Sequence, residues 1–199
     1  MGPAVRPYGR AVRALPAHRG SLIAVAGANT PAKGEFVAAL TDAITARGAP
    51  ALVIGNRSLP DPESDPGALA LVDEDAADDA IMVNRLAESA AVLASGIVIT
   101  VRPSVDEVAR YRAAAAMRSG YARQHAARRI ERMAADTMVD YDVVLWARTA
   151  SNGAASGAMD AAVGTLLGDL RVTHHAIDPP ASPAEIAWLA GWLAPAARA

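Results

Sequence analysis

The chain has 199 residues, a formal net charge of −2, 52% apolar residues and a mean hydropathy of +0.17, which fits one globular domain with a full core and excludes a disordered polyelectrolyte. It contains no cysteine, so disulfides, zinc–thiolate sites and cysteine nucleophiles are excluded, and the composition fits a cytoplasmic protein. The charge offers no global attraction for nucleic acid, no stretch is long and apolar enough to cross a bilayer, and the N-terminal arginines Arg6, Arg10, Arg13 and Arg19 lack the apolar run of a secretion signal.

Residues 1–20 are punctuated by Gly2, Pro3, Pro7, Gly9, Pro16 and Gly20 and read as an irregular arm before a domain spanning residues 21–199. From Ser21 onward, short β-branched or apolar runs alternate with helical patterns. The expected elements are a strand over Leu22–Ala26, a helix over Lys33–Arg47, a strand over Ala51–Gly55 and a helix over Asp78–Ala94. They continue with a strand over Ile97–Val101, a helical insertion over 105–135 broken near Gly120, and a strand over Asp142–Ala147. A helix over Ala158–Leu167, a strand over Arg171–Ile177 and a helix over Pro183–Leu193 complete the series. Gly48 marks the end of the first helix, and Ser182-Pro183-Ala184-Glu185 reads as an N-cap, an N1 proline and early negative charge. Pro60, Pro62, Pro66 and Gly67 make Ser58–Asp75 a long surface loop.

Strand alternating with helix implies an α/β fold in which about five parallel strands are covered on both faces. Ligands of such sheets bind beyond the carboxyl ends of the strands. That rule nominates Gly27–Gly34, Gly55–Leu59, Val101–Ser104, Arg148–Gly153 and Asp178–Pro180 as the functional rim.

The first rim segment carries chemistry. A phosphate-binding loop has the pattern GxxxxGK(S/T): its glycines let amides surround the phosphates, its lysine reaches them, and its hydroxyl holds Mg²⁺. Gly27 and Lys33 keep that spacing here, whereas Ala32 replaces the second glycine and Gly34 the hydroxyl residue. Taken alone, a motif broken in this way is more often an ordinary strand-to-helix turn than a phosphate site.

The order of landmarks resembles the adenylyl-sulfate kinase family, P-loop kinases that use ATP and Mg²⁺. The similarity runs over about residues 13–112 and, more weakly, the last strand and helix. It rests on Arg13-Ala14-Leu15-Pro16-Ala17-His18-Arg19-Gly20 before the strand, on Gly27 and Lys33, and on Ala51–Asn56 at the second strand. The longest match is Asn84–Ile99, similar to the family's Arg-Arg-x-x-Glu-Val-Ala-x-Leu-x-x-x-Gly-x-x-Val. The resemblance implies a three-layer P-loop nucleotide-kinase-like fold. It implies ATP or another nucleotide at Gly27, Asn29, Thr30, Lys33, Gly34 and Glu35, and a second anion at Asn56, Arg57, Arg85 and Arg102.

The departures fall on reactive positions. Ile54 and Asn56 stand where the family has two aspartates, Gly34 where it has the Mg²⁺ ligand, and Asp79 and Met82 where it has an arginine and an asparagine. The lid is reduced to Arg148–Gly157. Losing one electrostatic contact of this kind costs on the order of 10²–10³ in rate. The expected protein is therefore a pseudokinase that binds a nucleotide or another phosphate- or sulfate-bearing molecule, with transferase activity reduced or lost, and in which Lys33→Ala abolishes binding while sparing the fold. Two other readings stand beside it: a phosphotransferase whose metal site is rebuilt from Glu35 or from Asp73, Glu74, Asp75 and Asp78, and a regulatory subunit of a partner enzyme.

The arginines between Arg110 and Arg132 read as a solvated face, with an apolar side formed by Tyr111, Met117, Tyr121, Ile130 and Met133 that suits a homodimer contact. His174 and His175 point to opposite faces of a strand and cannot chelate one ion; one core and one rim histidine is the expectation. Asp140 and Asp142 straddle a strand start without a nearby histidine, and Trp188 and Trp192 are expected to pack on the sheet.

Overall fold

A computed structural model describes residues 21–55, 86–88, 96–101, 103–116, 141–148, 154–169, 171 and 173–194. In chain order it contains β1 (Ser21–Ala26), α1 (Pro31–Thr45), β2 (Ala51–Ile54), β3 (Ile97–Thr100), α2 (Ser104–Ala116), β4 (Val143–Ala147), α3 (Ala154–Asp169), β5 (His174–Ile177) and α4 (Pro183–Leu193). The five strands form one sheet in the order β2-β3-β1-β4-β5, and every pairing is parallel. The expected five-stranded parallel sheet is thus present.

β1 is central and buried at every residue, flanked by β3, whose Ile97 pairs with Ser21, and by β4, whose Val143 pairs with Ile23. Side chains alternate across a strand, so Ile23 and Val25 join Ile97, Ile99, Val143 and Leu145 in a core closed by Phe36, Val37, Leu40 and Ile44 of α1 and Leu189 and Leu193 of α4. α2 and α3 pack together on the opposite face, where Val105, Val108, Val163, Leu166 and Leu167 are buried. Gly164 lets α3 approach that face closely: a Cβ there would lie 2.6 Å from the Trp146 ring.

Several boundaries differ from expectation for local reasons. α1 starts at Pro31 instead of Lys33, because Thr30 is its N-cap and accepts from the Lys33 amide at 3.2 Å, with Pro31 in the first turn. It ends as expected before Gly48, which has φ +80°. β5 begins at His174 instead of Arg171, since Arg171 sits in a turn at φ +52°. α3 starts earlier than expected, at Ala154, and α4 has its expected bounds, with Ser182 Oγ accepting from the Glu185 amide. Of the expected helix 78–94 only residues 86–88 are described, and they are helical. The long loop 58–75 and the insertion beyond residue 116 lie outside the described residues.

β2 and β5 are the sheet edges. The chain leaves β1 through α1 toward β2 on one side, whereas it leaves β3 through α2 and crosses to β4 on the other. Helices that depart on opposite faces open a crevice at the carboxyl ends of β1 and β3, the place where open parallel sheets bind ligands. The N-termini of α1 and α2 meet there.

Candidate functional site

Lys33 is the chain's single lysine beside eighteen arginines, and it occupies that crevice. It lies in the first turn of α1 and is only 2% exposed, as buried as Ile23 or Leu40. Its Nζ donates to the Gly27 carbonyl oxygen at 2.9 Å and to Asp106 Oδ2 at 3.1 Å. The other carboxylate oxygen, Asp106 Oδ1, accepts from the Gly27 amide at 2.9 Å. One carboxylate therefore ties both the main chain and the lysine of the loop to α2.

Asp106 is placed by the start of α2, where its amide bonds to the Pro103 carbonyl and it lies in the helix's first turn. A helix N-terminus favours negative charge, and so do Lys33, the Gly27 amide and Arg110. Burial opposes them as the largest effect and pushes the Asp106 carboxyl above its ordinary range. Its charge is held by Lys33, an ion pair whose two members are both almost fully withdrawn from solvent.

The loop amides are largely engaged internally. Gly27 N–H goes to Asp106, Lys33 N–H to Thr30 Oγ1, and Gly34 N–H to the Thr30 carbonyl at 3.1 Å. Thr30 N–H reaches the Ala28 carbonyl at 3.0 Å, and Pro31 has no amide hydrogen. The amides of Ala28, Asn29 and Ala32 have no hydrogen-bond partner among the described residues. Asn29 and Thr30 are half-buried, and Gly34 and Glu35 face solvent. Apart from its chain neighbours and its own helix backbone, a Cβ at Gly34 would meet nothing within 4 Å, so the position has room for a side chain.

Among the described residues a Mg²⁺ ion finds no ready set of donors here. Position 34 offers no side-chain oxygen, both oxygens of Asp106 are engaged, and no group of three or more His, Asp or Glu among the described residues could hold a metal. Asn56, Arg57, Arg85 and Arg102, the residues expected to contact a second anion, lie outside the described residues. Arg148 stands at the carboxyl end of β4 and is bonded through Nε and Nη2 to Asp178 at 2.8 and 2.5 Å, joining two of the nominated rim segments.

Asp106 was not among the expected site residues. Its signal was its place just beyond the Val101–Ser104 rim, but an acid in a first helical turn is ordinarily explained by the helix dipole. Glu88, within the Asn84–Ile99 segment, is likewise central to a buried cluster. It accepts from Thr100 Oγ1 at 3.2 Å, from the Ser104 amide at 3.3 Å and hydroxyl at 2.8 Å, and from Tyr141 OH at 3.0 Å. The cluster braces the turn from β3 into α2, and with it the position of Asp106.

Burial, followed by the Glu88 charge, raises the Tyr141 phenol well above its usual value. The unfolded chain releases this proton near pH 10, whereas the folded chain keeps it. The contribution of Tyr141 to stability is therefore complete below about pH 10 and is lost as pH rises further. Urea denaturation between about pH 9 and 11 should show a steeper loss for the natural protein than for Tyr141→Phe.

The remaining candidates have structural partners. His174 meets the Trp146 ring at 5.7 Å and His175 meets Trp188 at 5.3 Å, so the two histidines do face opposite ways, but both are half-buried rather than one core and one rim. Trp192 packs against the core, whereas Trp188 stacks on it at 5.9 Å and remains 51% exposed. Asp142 caps the amino end of the sheet, with Oδ2 accepting from the Leu22 amide; Asp140 is outside the described residues. Arg110 departs from the expected solvated face: it is buried, and its Nη1 reaches both Glu107 oxygens at 3.0 and 3.2 Å. Arg112 pairs with Asp169.

No family model matches the chain, and no curated protein matches it. Among solved structures it is similar to a thymidylate kinase from Candida albicans, with a TM-score of 0.50 and 13% identity over 88% of this chain and 89% of that one. The likeness is one of fold and does not single out adenylyl-sulfate kinases. No helix among the described residues is long and apolar enough to cross a membrane. With its order β2-β3-β1-β4-β5, its two helical layers and a lysine-bearing loop after the central strand, the chain has the α/β fold of the P-loop kinases.

Proposed function

We propose that the chain binds a nucleotide, or another small molecule bearing phosphate or sulfate, at the carboxyl ends of β1 and β3, and that its capacity for phosphoryl transfer is reduced or lost. The observation that carries this reading is the placement of the only lysine at the topological switch point, in the first turn of α1. An ammonium beside a helix N-terminus is a phosphate-binding arrangement. Reduced transfer is supported by Gly34 and by the engaged oxygens of Asp106, which leave no cation ligand among the described residues of the loop and α2 to neutralise charge on a transferring phosphoryl group.

The resemblance to adenylyl-sulfate kinases makes adenylyl sulfate the finer proposal, with Lys33, Asn29, Thr30 and the free loop amides on phosphate and with Arg85 and Arg102, beside Asn56 and Arg57, on the second anion. Such a protein would act as a cytoplasmic sensor or carrier, alone or as a homodimer.

Isothermal titration calorimetry with ATP, ADP, adenylyl sulfate and its 3′-phosphorylated product, each with and without Mg²⁺, tests the reading. At least one nucleotide should bind, with little dependence on Mg²⁺, and Gly34→Ser should introduce that dependence without loss of stability, since the site has room for the side chain. Silence across the panel, for the natural protein and for Asp106→Asn alike, would overturn the proposal. Mg²⁺-dependent turnover by the natural protein would instead establish a rebuilt metal site and an active phosphotransferase.

A further inference from the structure

Lys33 cannot serve an incoming anion from the position it occupies. Its ammonium is almost fully buried and is committed to Asp106 Oδ2 and the Gly27 carbonyl. Reaching a phosphate outside the loop means releasing Asp106. That would leave a carboxylate 3% exposed, with the Gly27 amide as its remaining hydrogen-bond donor among the described residues. The other described charge that acts on Asp106 is Arg110, one turn further along α2; its Nη1 is engaged by both oxygens of Glu107, and its buried Nε has no hydrogen-bond partner among the described residues, Asp106 included. A buried carboxylate that loses its counter-charge takes a proton in preference to remaining ionised.

We propose that the Lys33–Asp106 pair is a proton-operated latch on the loop: a phosphate or sulfate takes Lys33 only as Asp106 takes one proton from solvent. The inference rests on the anion-binding reading above and adds its control. In balance, the ion pair plus anion plus one proton becomes a Lys33–anion pair and a neutral Asp106. The new hydrogen resides on Oδ2, while Oδ1 continues to accept from the Gly27 amide. The latch holds the loop closed as pH rises and yields to ligand as pH falls.

A proton taken up on binding makes affinity fall about tenfold for each unit of rising pH. The test is calorimetry of the full chain with metal-free ATP near pH 8, where the terminal phosphate, with a pKa of about 6, is already ionised. Titrations in two buffers of different ionisation enthalpy count the protons. About one proton should enter per ATP bound, and Asp106→Asn should bind at least about tenfold more tightly with no proton uptake. Because the chain has one lysine, selective ¹⁵N-lysine labelling yields one side-chain ammonium signal, which ATP should shift.

The natural protein alone supplies the proton count and the ammonium shift, should the variant fail to fold. Binding with no proton uptake, uptake that persists in folded Asp106→Asn, or binding that leaves the ammonium signal unmoved would each overturn the latch while sparing the nucleotide reading. Binding by Asp106→Asn alone would support the latch in its strongest form. Absence of binding by the natural protein and by a folded variant, down to about pH 6, would overturn both.

Discussion

Lys33→Ala is expected to destabilise the fold by about 3–5 kcal/mol at neutral pH, because it strands Asp106 as a buried charge without its partner. The loss should be pH-dependent with a defined sign. Without Lys33, the Asp106 carboxyl is raised further by burial, so the folded chain holds its proton after the unfolded chain has released it near pH 4. The penalty is therefore small in acid and grows as pH rises through the interval between the unfolded and folded values. Urea denaturation at about pH 5 and pH 8 should show the larger deficit at pH 8. The double variant Lys33→Ala, Asp106→Asn should recover most of it, since an amide in place of the carboxylate leaves no buried charge. Equal destabilisation at the two pH values would contradict the assignment of the loss to Asp106. This burial also revises the expectation that Lys33→Ala spares the fold, and it makes the double variant the proper control for lost nucleotide binding.

The second large effect is at Gly27, where Gly27→Ala should destabilise by about 2–4 kcal/mol through the combined cost of backbone strain and overpacking. Gly27 has φ +123°, a conformation that side-chain-bearing residues rarely adopt, and a methyl group there would overlap the Ala147 carbonyl oxygen on β4. Neither partner can move cheaply, since Gly27 is tied to Asp106 and β4 is held between β1 and β5. Gly48→Ala is the matched comparison. It also has positive φ, but its Cβ would meet nothing within 4 Å, so its cost should be near 1 kcal/mol, the backbone contribution alone. Thermal denaturation of the pair separates the two causes, and equal losses at both positions would remove the argument from Ala147.

Signals local to a few residues proved most legible. The apolar run at Leu22–Ala26, the stop at Gly48 and the Ser182–Glu185 cap each depend on nearest-neighbour chemistry, and each appears at its expected place. The early start of α1 was also encoded locally, in Thr30-Pro31, but the apolar period at Lys33 masked it. Arg171 extended the expected β5 because a single turn residue interrupts no hydrophobic pattern.

Burial of charged residues was not legible. Arg110 reads as one more surface arginine in a basic segment, and only the packing of α2 against its neighbours shows that it is inside with Glu107. Asp106 and Glu88 escaped for the same reason. Their partners are 73 and 12 or more residues away in sequence, and no periodicity links a carboxylate to a distant amide or lysine.

The sequence by itself determined the α/β class, the parallel sheet and the position of the lysine-bearing loop. These follow from alternating hydrophobic periods and from spacing within one short segment. Only the tertiary structure decided the order of the strands and the state of that loop. A parallel sheet of five strands can be threaded in many orders, and the one adopted brings the N-termini of α1 and α2 to one crevice. There a carboxylate from a helix that follows a different strand closes on Lys33, because an ammonium withdrawn from water must find a counter-charge wherever the fold supplies one.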